Sequence, residues 1–201
     1  AFRNFMNGPT KRKAPLFGTV ALLCAMAAGF AASGSSTPAA ANSGSVRHDV
    51  ERGSADTHLA ARILRTHNDE RRRLALRPLK WNVHLEREAR EWAHHLSRRG
   101  MLQHASQQGR NRTGENLWMG TSGHWPVENM VGMFIEEKKH YRHARFPDIS
   151  HTGNWADVGH YTQIVWRDTR EVGCAVASAR GNDVLVCRYF PAGNVMGRRA
   201  H

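Results

Sequence analysis

The chain has 201 residues, with 29 Lys and Arg against 17 Asp and Glu and a formal net charge of +12 when histidine is neutral. That length suits one domain plus an extra segment and excludes two ordinary domains, while 40% hydrophobic residues exclude a wholly disordered chain. Arg3, Lys11, Arg12 and Lys13 are the charged residues of 1–45, so +8 of the +12 belongs to the remainder, which favours anionic partners such as acidic lipid head groups, acidic polysaccharide or nucleic acid.

The N-terminus reads as a targeting segment. Lys11-Arg12-Lys13 precede a largely apolar stretch, 16–30, and Ala-rich cleavage candidates follow at 31–32 and 39–41. The apolar run is short for the ~20 residues of a membrane span, so export with cleavage is expected, with a retained membrane anchor as the alternative. Cys24 in this run follows Leu23, where a lipoprotein site wants a small residue. Residues 1–31 are assigned to export or anchoring. Residues 32–55, rich in Ser, Ala, Gly and Thr, are assigned to a flexible linker, and 56–201 to the folded domain.

From Asp56, a plausible N-cap, Leu59, Ile63, Leu64, His67 and Arg71 fall on one helical face, and Pro78 ends that element. Leu85, Ala89, Trp92, Ala93 and Leu96 mark a strongly amphipathic second helix. It closes at Gly100 after the cationic pair Arg98-Arg99. Residues 101–125 read as loop. Pro126 suits the first turn of a third helix, whose spacing is carried by Val127, Met130, Val131, Phe134, Ile135, Lys138 and Tyr141. Residues 142–159 are again loop-like. Stretches 161–166, 171–178 and 183–190 are rich in Val, Ile and Tyr and predict strands.

The last two stretches flank Arg180-Gly181. A two-residue hairpin centred there sets Cys174 opposite Cys187, the close cross-strand approach that a disulfide requires. The pair fits an exported chain; reduced, buried thiols are the alternative.

Several separated motifs follow one another in order. They are His67-Asn68 with Arg71; Leu79-Lys80-Trp81 with Leu85, Ala89 and Ala93; and His104 ahead of Gly114-Glu115-Asn116-Leu117. Phe134, Glu137 and Tyr141 come next, then the run from Gly159-His160-Tyr161 to Val165-Trp166, and finally Cys187-Arg188-Tyr189-Phe190-Pro191 ahead of Gly193-Asn194. Together they resemble the CAP superfamily of cysteine-rich secretory proteins, antigen five and plant pathogenesis-related proteins, over about residues 58–197. Phe134 replaces the family's usual Trp, and the extra cysteines and C-terminal modules of animal members are missing, which removes any basis for their toxin or channel-blocking roles. The resemblance implies an α+β fold, a three-layer α-β-α sandwich with a central antiparallel sheet.

It also implies that His104, Glu115, Glu137 and His160 converge on one cleft. Two neutral imidazoles, His104 and His160, can bind Zn2+ or another divalent metal, and Glu115 or Glu137 could then act as a base. The same four can instead form a hydrogen-bonded cluster without metal. Taken singly, His160 opens a strand-like run as a core histidine, His104 is a loop histidine, Glu115 is a cap, and Glu137 pairs with Lys138 or Lys139. No H-E-x-x-H and no Gly-x-Ser-x-Gly is present. His94-His95 diverge on their helix, while His140, His143 and His151 read as a solvated surface able to bind metal adventitiously. Trp118, Trp125 and Trp155 fall in loops around the presumed cleft, to line it or to pack beneath the loops.

Nucleic-acid binding is set aside because the basic residues alternate with acids, as in Glu86-Arg87-Glu88-Ala89-Arg90-Glu91. The expected function is a secreted or periplasmic binding or interaction module at the cell envelope, with a lipid, sterol or anionic envelope component as partner and membrane contact only through a retained N-terminal segment. A metal-assisted, peptidase- or esterase-like hydrolase using the same cleft is the alternative.

Overall fold

A computed structural model describes residues 43–110 and 112–201, with side chains from Thr57 onward. The export segment, Cys24 and the first part of the linker lie outside the described residues. The first helix, α1 (Ser43–Arg73), begins well before Asp56 and takes in the second half of the stretch read as linker. Between Gly44 and Gly53 the sequence there, Ser45 to Arg52, contains neither Gly nor Pro, and isolated glycines weaken a helix without ending it.

After β1 (Lys80–Trp81), α2 (Val83–Arg99) is capped at both ends. The Asn82 side chain accepts hydrogen bonds from the amides of His84 and Leu85, and Gly100 closes the helix in the left-handed region at φ 67°. Strand β2 (Gly114–Thr121) occupies part of the stretch expected as loop. Helix α3 (Val127–Glu136) follows Pro126 and tightens into a 3-10 turn at Glu137–His140. A second 3-10 turn, Trp155–Asp157, leads into α4 (Gly159–Ile164). The hairpin β3 (Glu171–Ala179) and β4 (Asn182–Phe190) completes the fold.

The stretch 161–166 is therefore mostly helix, not the expected strand. Its aromatic and β-branched composition favours a strand locally, but side chains from elsewhere meet both ends of α4. The Glu137 carboxylate accepts from the amides of His160 at 3.0 Å and Tyr161 at 3.1 Å. Arg71 donates to the carbonyls of Ile164 at 2.8 Å and Trp166 at 2.9 Å. Tertiary contacts thus supply the partners that a six-residue helix lacks.

The sheet order is β1-β3-β4-β2. β3–β4 and β4–β2 are antiparallel, whereas the two-residue β1 pairs parallel with β3, so the expected antiparallel sheet carries one parallel edge. Alternation along the strands separates two cores. Ala175, Ala177, Val184, Val186 and Leu117 pack against Ala89, Ala93 and Leu96 of α2. Cys174, Leu185, Cys187, Tyr189 and Trp118 face the other way, toward Ile63 of α1 and Met130, Val131 and Phe134 of α3. The architecture is thus a three-layer α-β-α arrangement.

Arg180 and Gly181 both have positive φ, 54° and 76°, as a type I′ hairpin demands. That turn fixes Cys174 opposite Cys187, with Cα atoms 4.1 Å apart and the disulfide formed. In unfolded but unreduced protein, neither cysteine should label with a thiol reagent until reductant is added. Replacing both with Ala should lower unfolding free energy by about 3 kcal/mol, from the lost constraint on the unfolded chain. Ready labelling of both without reductant would contradict the bridge.

Candidate functional site

The N-terminal end of β2 is where the two faces of the sheet come together. Glu115 shares the α2 face with its cross-strand neighbour Arg188, and the next residue, Asn116, lies on the opposite face with Cys187. The Glu115 side chain is fully buried. One oxygen accepts from His104 Nδ1 at 2.6 Å and from the Ala105 amide at 3.1 Å, and the other pairs with Arg188 Nη2 at 3.0 Å. Burial pulls the Arg188 guanidinium below its usual range, against the opposing pull of Glu115 and Glu88.

The second pair comes from the other side. Glu137 accepts from His160 Nδ1 at 2.6 Å with one oxygen and from the two α4 amides with the other. The His160 ring stacks on Phe134 at 4.7 Å between centroids, with 24° between planes, so Phe134 supplies the aromatic surface there. An ionised carboxylate only accepts, so Nδ1 is the donor in each pair, and in a neutral ring that leaves Nε2 as the basic nitrogen. His104 and His160 both border one cleft of about 460 Å³, with Glu115, Gln163, Trp155 and Arg110 also at its wall. Gly114 also lines that cleft, and a Cβ there would lie 1.9 Å from Gln163 Oε1.

Other expectations resolve differently. Lys138 reaches Glu70 at 3.2 Å, which leaves Glu137 to His160. Of the three loop tryptophans, Trp155 borders the cleft, whereas Trp118 is buried in the core, bonded to Met133 Sδ at 3.0 Å and edge-on to Trp125. His95 stacks on Trp92, and His143 lies against Tyr141 and His201. Among the described residues, three ligand-type side chains have donor atoms mutually within 4.8 Å at His67, Cys174 and Cys187. That group is no metal site, because both sulfurs are joined to each other and both ring nitrogens of His67 are engaged.

His67 belongs instead to a buried chain of hydrogen bonds. Its Nδ1 donates to the Ile63 carbonyl at 2.9 Å, so Nε2 must accept, here from the Tyr189 hydroxyl at 2.9 Å. Asn116 Nδ2 donates to that hydroxyl at 3.2 Å and to the His160 carbonyl at 3.1 Å. The chain links α1 to the cleft through residues that sequence reasoning left without a role, Asn116 and Tyr189.

The comparisons with known proteins agree with this construction. Residues 64–189 match the sequence model of CAP, the cysteine-rich secretory protein family. The chain is 31% identical over 144 residues to Golgi-associated plant pathogenesis-related protein 1 of Homo sapiens, covering 71% of this chain and 89% of that one. It is 34% identical over 136 residues to pathogenesis-related protein 1C of Nicotiana tabacum, covering 67% and 76%. In fold it resembles NaASP2, whose crystal structure was determined with Zn2+, at a TM-score of 0.60 and 22% identity over 70% of this chain and 83% of that one. The chain belongs to the CAP family.

Burial in the network lowers the His67 pKa from 6.5 to about 4, and the charge of Arg71 adds to the shift. A histidine whose folded pKa is depressed binds its proton more readily when unfolded. Its contribution to stability is therefore complete above the unfolded value and is lost as pH falls toward the folded one. Between about pH 7 and about pH 5 this residue should remove roughly 2 kcal/mol of unfolding free energy. Urea unfolding across that range should show a shallower pH dependence for His67→Asn than for wild type; equal slopes would contradict the assignment.

Proposed function

We propose that the protein is an exported CAP domain acting as a ligand-binding module at the cell envelope, with His104 and His160 able to hold a divalent metal in the cleft. The observation that carries this reading is the paired geometry, in which each imidazole is oriented by a carboxylate on Nδ1. Metal-ligating histidines are commonly held in this way by a second partner, and two neutral imidazoles suit Zn2+. NaASP2, of the same fold, offers a precedent for Zn2+. The disulfide supports an oxidising, extracytoplasmic location.

A metal bound there would supply positive charge and open positions for oxygen donors of a ligand, for which a lipid, a sterol or an anionic envelope component is the proposed class. This chain's own residues do the orienting. Glu115 is already shared between His104 and Arg188, and Glu137 between His160 and the start of α4. A base must be free to take a proton, so these commitments favour binding over hydrolysis.

Zinc titrated calorimetrically into metal-free protein should bind at one site. His104→Ala or His160→Ala should nearly abolish the heat, and Glu137→Gln should weaken affinity by about 10- to 100-fold. Variants at His140 and His143 should bind as wild type does. Affinity should also fall on acidification, because protons compete for the ring nitrogens. Unchanged zinc affinity in the double variant His104→Ala, His160→Ala would overturn the reading.

A further inference from the structure

Among the described residues, a group of arginines borders two hollows that share no lining residue with the His/Glu cleft. Two adjoining hollows share Arg167 and Asp168; Arg145, Arg198 and Arg199 border the first, Arg77 and Arg170 the second. Five of these six arginines are exposed, and Arg170 is half-buried. Among the described residues, Asp168 is the one side-chain carboxylate bordering either hollow, and it is already held by Arg198 at 2.5 Å. His143 and His201 border the first hollow as well.

Exposed apolar residues adjoin these cations along the backbone. Met196 is 69% exposed and Val195 38% exposed, on a turn closed by the Arg198 amide donating to the Val195 carbonyl at 3.1 Å. The same turn is braced by Arg145, whose Nη1 donates to the Gly197 carbonyl at 2.7 Å. Phe190 is 44% exposed, and its carbonyl accepts from the Arg170 amide at 2.9 Å.

The planar guanidinium fork matches phosphate oxygens two at a time. A soluble polyanion would use the arginines and gain nothing from Val195, Met196 and Phe190. An anionic bilayer uses both: arginines meet lipid phosphates while the apolar side chains enter the headgroup boundary. We propose that this face docks the protein on a bilayer containing anionic phospholipid. The proposal is independent of the cleft and of any metal in it.

The test uses the full chain in EDTA with phosphatidylcholine vesicles, prepared with and without phosphatidylglycerol. The quantity read is the ratio of the two partition coefficients, in which binding common to both lipids cancels. Wild type should show a ratio well above one. R77E/R167E/R199E should lower it on the order of a hundredfold, from about one decade or slightly less for each cation lost near an anionic surface. The charge-matched triple R87E/R98E/R99E, on the exposed side of α2, should change it by no more than about threefold by the same rule applied away from the contact. V195S/M196S should weaken vesicle binding about fivefold by losing apolar contact and leave elution from immobilised heparin unchanged. If circular dichroism shows the Glu triple misfolded, R77Q/R167Q/R199Q takes its place. An equal loss in the α2 triple would reduce the effect to net charge and overturn the proposal. So would heparin binding by a protein that prefers neither vesicle.

Discussion

The placement of α4 is the constraint on which the cleft depends. A helix of this length does not hold itself together in water, and here each end is tied to a side chain from another element. The Glu137 carboxylate takes the first amides. The buried guanidinium of Arg71 takes the carbonyls at the far end and also bonds Arg77 O at 2.8 Å and Thr169 O at 3.3 Å. Burial drops the Arg71 pKa to about 10, with Arg170 adding to the shift. At neutral pH the group stays cationic, and its charge is met by backbone dipoles. Losing one partner of such a network strands the others, which costs more than any single hydrogen bond contributes.

The same logic extends along α1. Asn68 accepts from the Leu79 amide at 2.7 Å and donates to the Leu79 carbonyl at 3.0 Å, which aligns the chain entering β1. His67 reaches Tyr189 on β4 and, through Asn116, the His160 carbonyl. Three polar residues on the inward side of one helix therefore set the position of an edge strand, a central strand and the helix that carries His160. The His160 side of the cleft rests on this satisfied polar core. On the other side, the Glu115–Arg188 pair lies under His104, whose side chain is itself more than half exposed. The two imidazoles thus differ in exposure although each is paired with a carboxylate.

Where the signal was local, it was legible in the sequence. The apolar stripe of α2 and its close at Gly100 appear as read, and Arg180-Gly181 with its two cysteines defined the β3–β4 hairpin. The element at 161–166 failed because its propensity points to a strand, while its helical ends are satisfied by Glu137 and Arg71, distant in sequence. Strand β2 was hidden by its Gly-Glu-Asn beginning, polar residues that read as loop until Arg188, Gln163 and the Tyr189 hydroxyl are seen around them. The four cleft residues were gathered only through the family resemblance, since nothing in their spacing brings two His–Glu pairs to the border of one cleft. Arg188 entered only as one residue of the closing motif, with no role of its own: a charged residue in an otherwise apolar strand is expected to face water, and its burial follows from Glu115 directly across the sheet.

The central claim is that both cleft imidazoles are held as Nδ1–H tautomers by their carboxylates and offer Nε2 to a common ligand. Long-range proton–nitrogen NMR of 15N-labelled protein reads that claim atom by atom. The account predicts the Nδ1–H pattern for both His104 and His160 near neutral pH, with the Nε2 resonances of both rings shifting together on addition of zinc. A protonated Nε2 in either ring, or a zinc response confined to one of them, would contradict it.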